Sequence, residues 1–226
     1  MNICYLVPGI GLSDSEKTRR QELLNEIAAS ETHVNVEQVQ DGPRSIENAV
    51  DEYKAMPEVL RYVRDNQDGF DGFIIGCAGD SGLEGAREQS RKPVVGPGES
   101  SILLGTCGDK RFSIVTISGE RARIKRRLVR EAGIDVGRLV SSHTLNIPVL
   151  GLYNDQGATQ RGLIDMMSEA RELGAETMLI GCMSVAFMDP ALLGEASDKT
   201  DMPLVNPIVT AVKMAEALVA MDQFGR

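Results

Sequence analysis

The segment FDGFIIGCAGDSGL, residues 70–83, joins an apolar run to a cysteine, with glycines and an aspartate directly behind it. The apolar run at residues 72–76 is typical of a strand that is buried on both faces, as strands of parallel sheets are. Cys77 then stands at the carboxyl end of that strand, which is the edge where open α/β sheets bind ligands. The segment therefore predicts a parallel sheet with a thiol at its ligand-binding edge.

Short strand-like runs alternate with helical stretches along the rest of the chain. This order is typical of an α/β fold with parallel sheets flanked by helices. Ser13 and Glu16 predict a capping box that opens the first helix, and Ser45 predicts the start of a second helical region that is restarted at Pro57. The predicted strands cover residues 2–7, 34–39, 72–76, 93–95, 112–117, 177–181 and 203–205.

The two halves of the chain repeat each other. Ile75-Gly76-Cys77 recurs 105 residues later as Ile180-Gly181-Cys182, and Pro93–Val95 recurs 110 residues later as Pro203–Val205. Residues 2–7 match residues 111–116 in the same way. Matches in the same order at nearly the same offset indicate a duplicated unit. We therefore expect two similar lobes related by pseudo-twofold symmetry, with the active site in the cleft between them. Residues 1–107 and 206–226 form the first predicted lobe, and residues 108–205 form the second.

Composition and charge argue against several kinds of partner. A formal charge of −9 over 226 residues disfavours a protein that grips nucleic acid, and no apolar run is long enough to cross a bilayer. The basic cluster at residues 121–130 is interpreted as a solvated helix face. The N-terminus has no basic region before its apolar run, so we expect a cytoplasmic protein with a small-molecule substrate and neither nucleic acid nor membrane as a partner.

The four cysteines divide into two pairs. Cys4 and Cys107 are interpreted as small core residues, and with only two histidines in the chain no zinc-like cluster is predicted. Cys77 and Cys182 occupy equivalent positions, which suits an acid/base pair: one thiolate removes a proton from a carbon while the other thiol donates a proton to the opposite face. This chemistry requires no metal or cofactor. The alternative is a sensor or redox protein in which the two thiols form a reversible disulfide.

The predicted substrate contacts lie in the loops that follow the strands. Amides behind each cysteine would hold a carbonyl oxygen as it becomes an enolate. Asp80 is interpreted either as a third catalytic group or as a partner of a helix start. The glycines at positions 9 and 11 lack the third glycine of a dinucleotide-binding loop, which favours a tight turn beside the substrate. The predicted substrate-binding residues are Pro8, Gly9, Ala78, Gly79, Asp80, Ser118, Met183 and Ser184.

Several of these segments also resemble a known family. Residues 77–83, followed by Ala86-Arg87-Glu88 and by residues 93–96, resemble the first-cysteine region of hydantoin racemases in the aspartate/glutamate racemase superfamily. Residues 146–150, and residues 203–207 running into 211–218, resemble later segments of that family. The resemblance implies two α/β lobes, a two-cysteine racemase without cofactor, and a homo-oligomer. It favours 5-substituted hydantoins as substrates, and its alternatives are an allantoin racemase, an amino-acid racemase for aspartate or glutamate, and a maleate cis–trans isomerase.

Overall fold

The computed structural model describes residues 1–153 and 155–224, which divide into two compact units. Unit 1 comprises residues 1–97 together with the C-terminal helix from Ile208, and unit 2 comprises residues 98–207. Residues 225 and 226, which the sequence places in the first lobe, lie outside the described residues. Within the described part of the chain, no helix is both long enough and apolar enough to span a membrane.

Unit 1 is built on a four-stranded parallel sheet with the strand order β2-β1-β3-β4. The central strands β1 and β3 are almost fully buried, as expected for strands covered by helices on both faces. Its elements are β1 (Asn2–Val7), α1 (Asp14–Ile27), β2 (His33–Gln38), α2 (Ala49–Asn66), β3 (Gly72–Ile75), α3 (Leu83–Gln89), β4 (Val94–Val95) and most of α9 (Pro207–Phe224).

Unit 2 contains a second four-stranded parallel sheet with the equivalent order, β6-β5-β7-β8. Two 3₁₀ helices, Val136–Arg138 and Val149–Tyr153, flank its strand β6. The other elements are α4 (Pro97–Gly105), β5 (Phe112–Thr116), α5 (Gly119–Glu131), β6 (Leu139–Thr144), α6 (Gln156–Glu172), β7 (Thr177–Ile180), α7 (Met183–Ala186), α8 (Pro190–Thr200) and β8 (Leu204–Val205). The predicted α/β class with two similar parallel sheets is confirmed.

The strand registers of the two sheets follow the repeat in the sequence. Leu6 pairs with Ile75 in the first sheet, and Val115 pairs with Ile180 in the second. Adding the sequence offsets of 109 and 105 to the first pair gives the second pair. The duplication therefore extends from the sequence to the register of the central strands, and it places residues 77 and 182 at the same step beyond their strands.

The same correspondence holds where the central strands begin. The amide of Asn2 donates to a carboxylate oxygen of Asp71 at 2.8 Å, and the amide of Arg111 donates to a carboxylate oxygen of Glu176 at 2.9 Å. In each unit an acidic residue just before the third strand thus holds the start of the first strand. These hydrogen bonds fix the start of the first strand against the third strand, and the register of the pair then extends to their carboxyl ends.

Each unit has its own apolar core between the sheet and its helices. In unit 1 this core includes Leu6, Phe73 and Ile75 of the central strands, packed against Val59 and Val63 of α2. The core of unit 2 is formed by Ile102, Phe112, Ile114, Ile124, Leu128, Val129, Leu139 and Leu179. Burial of these side chains is the main source of stability that each sheet receives from its helices.

The second helix differs from its prediction. It begins at Ala49 rather than Ser45, because the side chain of Asn48 accepts hydrogen bonds from the amides of Val50 and Asp51. Pro57 lies inside the helix and does not start a new one. The predicted start of the first helix is closer: Ser13 accepts from the amide of Glu16 at 3.3 Å, while the carboxylate of Glu16 binds arginines of the same helix.

Strand β6 and helix α8 of unit 2 were not predicted from the sequence. Strand β6 is polar (LVSSHT), so it lacks the apolar alternation that marks a strand. Helix α8 begins after Asp189, whose side chain accepts from the amide of Ala191 at 2.9 Å, with Pro190 in the first turn. The Asp-Pro pair is a recognised helix-start signal, and it would have located this helix.

Candidate active site

Cys77 lies in a tight turn directly after strand β3. The amide of Gly76 donates to the carbonyl of Leu6 at 2.7 Å, which keeps the chain in the sheet up to this residue. The amide of Asp80 then donates to the carbonyl of Cys77 at 2.9 Å, so the chain reverses at the cysteine. The side chain of Cys77 is largely buried, with 7% of its residue surface exposed. The turn therefore holds the thiol at the carboxyl end of the sheet.

The backbone of this turn also contacts the sulfur atom. The amide of Gly79 donates to Sγ of Cys77 over 3.4 Å, within a buried environment. The contact gives the sulfur a backbone donor inside the turn itself. The first predicted thiol thus has a polar contact that a cysteine packed purely in apolar surroundings would lack.

Asp80 occupies a constrained position in the turn. Its backbone is left-handed, with φ at 56°, and its side chain is buried. A Cβ atom at Gly96 would lie 2.5 Å from Cγ of Asp80, so only glycine leaves room there for the carboxyl group. Helix α3 begins after Gly82, which has no side chain to cap it. The role of Asp80 stays a prediction.

A buried carboxylate, missed by the sequence analysis, lies behind the same turn. Glu52 of α2 is almost fully buried and accepts a hydrogen bond from Oγ of Ser81 at 3.3 Å. Its position on the buried stripe of α2, with Ala55, Val59 and Val63, was the available signal. The first thiol turn is therefore backed by an acidic side chain.

Cys182 lies at the equivalent position directly after strand β7, at the start of helix α7. The amide of Gly181 donates to the carbonyl of Val115 at 2.7 Å, as Gly76 does to its own neighbour strand. Cys182 is 8% exposed and precedes α7, with its carbonyl accepting from the amide of Ala186 at 3.1 Å. The predicted contacts Met183 and Ser184 are buried in the first turn of α7.

Two basic side chains of α5 are buried, contrary to the general pattern of that helix. Most basic residues between 121 and 130 are exposed, as predicted, but Arg121 and Lys125 are not. A Cβ atom at Gly181 would lie 3.1 Å from Cε of Lys125. The second thiol turn is therefore backed by a basic side chain.

The remaining predicted substrate contacts lie in loops at the same sheet edges. Gly9 follows β1, and a Cβ atom there would lie 2.9 Å from the carbonyl oxygen of Pro43. The loop that carries Pro8 and Gly9 thus packs on the β2–α2 loop, and both residues are buried. Ser118 follows β5, caps α5 and accepts from the amide of Arg121 at 3.4 Å.

The other two cysteines differ from each other. Cys4 is fully buried within β1, and burial, reinforced by the charge of Glu37, raises the pKa of its thiol far above the ordinary range, although a hydrogen bond with Tyr62 partly offsets this. Cys107 is exposed, so its interpretation as a core residue is wrong. Its Sγ donates to the carbonyl of Leu103 at the end of a helix, a position with no apolar cover. Among the described residues, no group of three or more metal-binding side chains occurs.

The fold and the two thiol turns define a duplicated α/β protein in which each unit places a buried cysteine at the end of its third strand. The chain belongs to the Asp/Glu/Hydantoin racemase family, whose sequence model matches residues 18–221. It is therefore a racemase, and the predicted family and isomerase class are confirmed.

Named relatives match over most of the chain. A hydantoin racemase of Pseudomonas sp. (strain NS671) is 34% identical over 201 residues, which cover 87% of this chain and 78% of that protein. A hydantoin racemase of Rhizobium meliloti is 29% identical over 221 residues, covering 97% and 89%. Among solved structures, allantoin racemase from Klebsiella pneumoniae matches with a TM-score of 0.87 at 30% identity, covering 97% of this chain and 88% of that one.

Proposed function

We propose that this racemase inverts the C5 stereocentre of 5-substituted hydantoins, with Cys77 and Cys182 as its acid/base pair. The observation that carries the proposal is that its relatives are named for substrates that contain the same ring. Two matching proteins are named hydantoin racemases, and a third is an allantoin racemase. Allantoin is itself a hydantoin, with a ureido group at C5. The shared feature of these substrates is the hydantoin ring, and the substituent varies.

The ring provides a carbon acid that a thiolate can deprotonate. The C5–H bond lies between a carbonyl carbon and an amide nitrogen, so the carbanion is stabilised as an enolate. One thiolate takes this proton, and the opposing thiol protonates C5 from the other face, which yields the opposite enantiomer. The reaction removes one proton from C5 and adds one proton to C5, with no electron transfer. One thiolate as base and one thiol as acid are therefore sufficient for it.

Several contacts within each unit support this assignment. Both cysteines follow the third strand of their sheet at equivalent steps, and the amide of Gly79 donates to Sγ of Cys77. We assign the substrate contacts to the loops that follow β1, β3, β5 and β7, where polar backbone groups would hold the enolate oxygen. These assigned residues are Pro8, Gly9, Ala78, Gly79, Asp80, Ser118, Met183 and Ser184.

The experiment follows single enantiomers in deuterated water. Pure D- and L-5-benzylhydantoin and pure allantoin enantiomers are incubated with the protein, alongside enzyme-free samples that measure spontaneous racemisation. We expect enzyme-dependent loss of optical activity and appearance of deuterium at C5 by proton NMR. Aspartate, glutamate and maleate are tested in parallel. Turnover of one of these three, with none of either hydantoin, would assign another chemistry of the superfamily instead.

A further inference from the structure

The two sheets differ at the strand that forms their outer edge. In unit 1, side chains of α1 bind the outer backbone groups of β2. Asn25 accepts from the amide of Val34 at 2.9 Å and donates to the carbonyl of Val34 at 2.8 Å. Gln21 accepts from the amide of Val36 at 3.0 Å. Because an open strand edge is a template for pairing with another strand, these bonds close the edge of the first sheet.

The equivalent helix of unit 2 has arginines at the positions of these two amides. Helices α1 and α5 begin 105 residues apart in the sequence, each after a capping serine, and α5 contacts β6 as α1 contacts β2. Gln21 therefore corresponds to Arg126, and Asn25 corresponds to Arg130. A guanidinium group donates hydrogen bonds but accepts none, so it cannot bind an outward backbone amide. Helix α5 thus lacks the side chains that close the edge in unit 1.

The outward backbone groups of β6 belong to alternate residues. The amide of Leu145 donates to the carbonyl of Thr116 at 2.9 Å, which directs the amide of Leu145 toward β5. Backbone groups alternate in direction along a strand, so the amides of Ser142 and Thr144 point away from β5. Neither amide has a hydrogen-bond partner within residues 1–153 and 155–224. The register shift between β5 and β6 lies before Ser141, so this part of the edge is regular and open.

The surface beside this edge carries uncompensated positive charge. Arg126 and Arg130 are exposed and form no ion pair within the described parts of the chain, and like charges four residues apart on a helix repel each other. The other two exposed arginines of α5 bind Glu120 and Glu131. Strand β6 has no acidic side chain, and on its other face Glu169 of α6 lies 3.5 Å from a ring nitrogen of the strand's histidine. An anionic partner would therefore relieve the repulsion on the α5 side.

We propose that the outer edge of β6 binds an extended acidic segment of another protein, which adds a strand to the second sheet. Main-chain hydrogen bonds to Ser142 and Thr144 hold the segment, and its carboxylates pair with Arg126 and Arg130. Charge disfavours β6 of a second copy as the occupant. Antiparallel pairing of two β6 strands would place both α5 helices on one face of the joined sheet, with their arginines together. The proposal concerns a surface of unit 2 and is independent of the racemase substrate.

The test measures fluorescence anisotropy of a labelled octapeptide in which threonine and glutamate alternate. In a strand, all glutamates of this peptide lie on one face, as the proposed contact requires. We expect the wild-type protein to bind the peptide with a Kd below about 1 mM. An octapeptide of alternating threonine and lysine should bind at least about tenfold more weakly, because its charges repel the arginines.

Protein variants test the two kinds of contact separately. The double variant Arg126→Gln/Arg130→Gln should weaken peptide binding by at least about threefold, as for the loss of two exposed ion pairs. Arg123→Gln, on the same helix, is the matched control and should leave binding unchanged. Ser142→Pro removes the outward amide and spares the hydrogen bonds to β5, so it should weaken binding by about three- to tenfold. None of these residues belongs to the proposed active site, and racemisation should be unchanged in every variant.

Other results would overturn the proposal. Absence of peptide binding up to about 1 mM would show that the arginines only keep the edge from pairing. Equal binding of the lysine peptide, or unchanged binding by the folded variants, would exclude the assigned contacts. A wild-type oligomer whose mass, measured by light scattering, falls in Ser142→Pro would assign the edge to a second copy instead.

Amide exchange keeps the proposal testable if Ser142→Pro does not fold. In the free wild-type protein, NMR should show that the amide of Ser142 exchanges at least about tenfold faster than that of Val36, which Gln21 protects. Saturation with the glutamate peptide should slow the exchange of Ser142 by at least about tenfold and leave Val36 unchanged. An exchange rate of Ser142 that does not respond to bound peptide would reject the proposal.

Discussion

The amide of Gly181 donates a hydrogen bond of 2.7 Å to the carbonyl oxygen of Val115, and Cys182 follows at the point where the chain leaves the sheet. Gly76 and Leu6 form the same bond before Cys77. At both glycines an added Cβ atom would lie 2.8 Å from the accepting carbonyl oxygen, which is closer than such contacts occur. Each thiol therefore follows a close backbone contact that only glycine can make, because any other residue would place a Cβ atom against the carbonyl oxygen.

Replacing either glycine by alanine should displace the following thiol. We expect Gly181→Ala and Gly76→Ala each to destabilise the fold by about 1–3 kcal/mol, as overpacking does. Each should also lower racemisation by about 10²-fold, because a displacement of about 1 Å at a reacting group costs that much. Thermal unfolding and initial rates measure the two effects. Wild-type activity in either variant would show that the close approach does not position the thiol.

A helical glycine without neighbours provides the matched control. Gly194 lies in α8, and an added Cβ atom there would meet nothing within 4 Å. Gly194→Ala should stabilise the protein by about 0.5–1 kcal/mol through the higher helix propensity of alanine. Its racemisation rate should equal that of the wild type.

The sequence predicts the thiol turns because their signals are local. An apolar run followed by Ile-Gly-Cys identifies a buried strand and its end, and the repeat of that pattern identifies a second copy. Strand β6 lacks such a signal, since its polar side chains are satisfied by distant partners. Oγ of Ser141 lies 2.7 Å from Oγ of Ser113 on the neighbouring strand β5. A pairing of this kind exists only after the sheet has formed.

The buried charged residues behind the two turns could also be predicted only in part. Periodicity along α5 places Ile124 and Leu128 in the core correctly. Arg121 and Lys125 lie on the same stripe as these two residues, so periodicity also indicates their burial, and their basic character was the opposing signal. Helical periodicity does not identify the neighbour of Lys125, Gly181 at the end of another strand, where an added Cβ atom would lie 3.1 Å from Cε of Lys125. Glu52 likewise lies on the buried stripe of α2, but its partner Ser81 belongs to the turn after β3, which helical periodicity does not identify.

The thiols outside the proposed site should differ strongly in reactivity. Cys107 is exposed, whereas the pKa of the buried Cys4 thiol is raised by burial and by Glu37. Iodoacetamide at pH 8 should therefore alkylate Cys107 in the native protein at least about 10²-fold faster than Cys4, since the thiolate is the reactive form. Peptide mapping before and after denaturation measures both. Comparable labelling of Cys4 in the native protein would contradict the buried placement, and Cys107→Ser should retain full racemase activity.

His143 should make stability depend on pH. Burial lowers the pKa of this histidine, and the carboxylate of Glu169, 3.5 Å from Nδ1, opposes that shift only in part. The unfolded chain therefore takes up a proton at higher pH than the folded protein does, and stability present above about pH 6.5 is lost as pH falls through the folded pKa. Between pH 7 and 5, the free energy of unfolding should fall more steeply for the wild type than for His143→Gln. Urea unfolding at several pH values measures this slope, and equal slopes for the wild type and His143→Gln would contradict the prediction.

Replacing either proposed catalytic thiol should strongly lower racemisation, and the two replacements should leave proton exchange with opposite enantiomers. A serine hydroxyl is a far weaker acid than a thiol and a poor base near neutral pH without an activating partner. Cys77→Ser and Cys182→Ser should each lower racemisation by at least about 10²-fold, the usual contribution of a general acid or base. Exchange of the C5 proton can survive on the face served by the remaining thiol. We therefore expect each variant to exchange deuterium into only one enantiomer of a 5-substituted hydantoin, and the two variants to prefer opposite enantiomers. Proton NMR on each pure enantiomer measures the exchange, with Cys107→Ser as the control that exchanges both. Full racemisation by folded Cys77→Ser or Cys182→Ser would exclude the two-thiol mechanism, because a single remaining thiol would then be serving both faces.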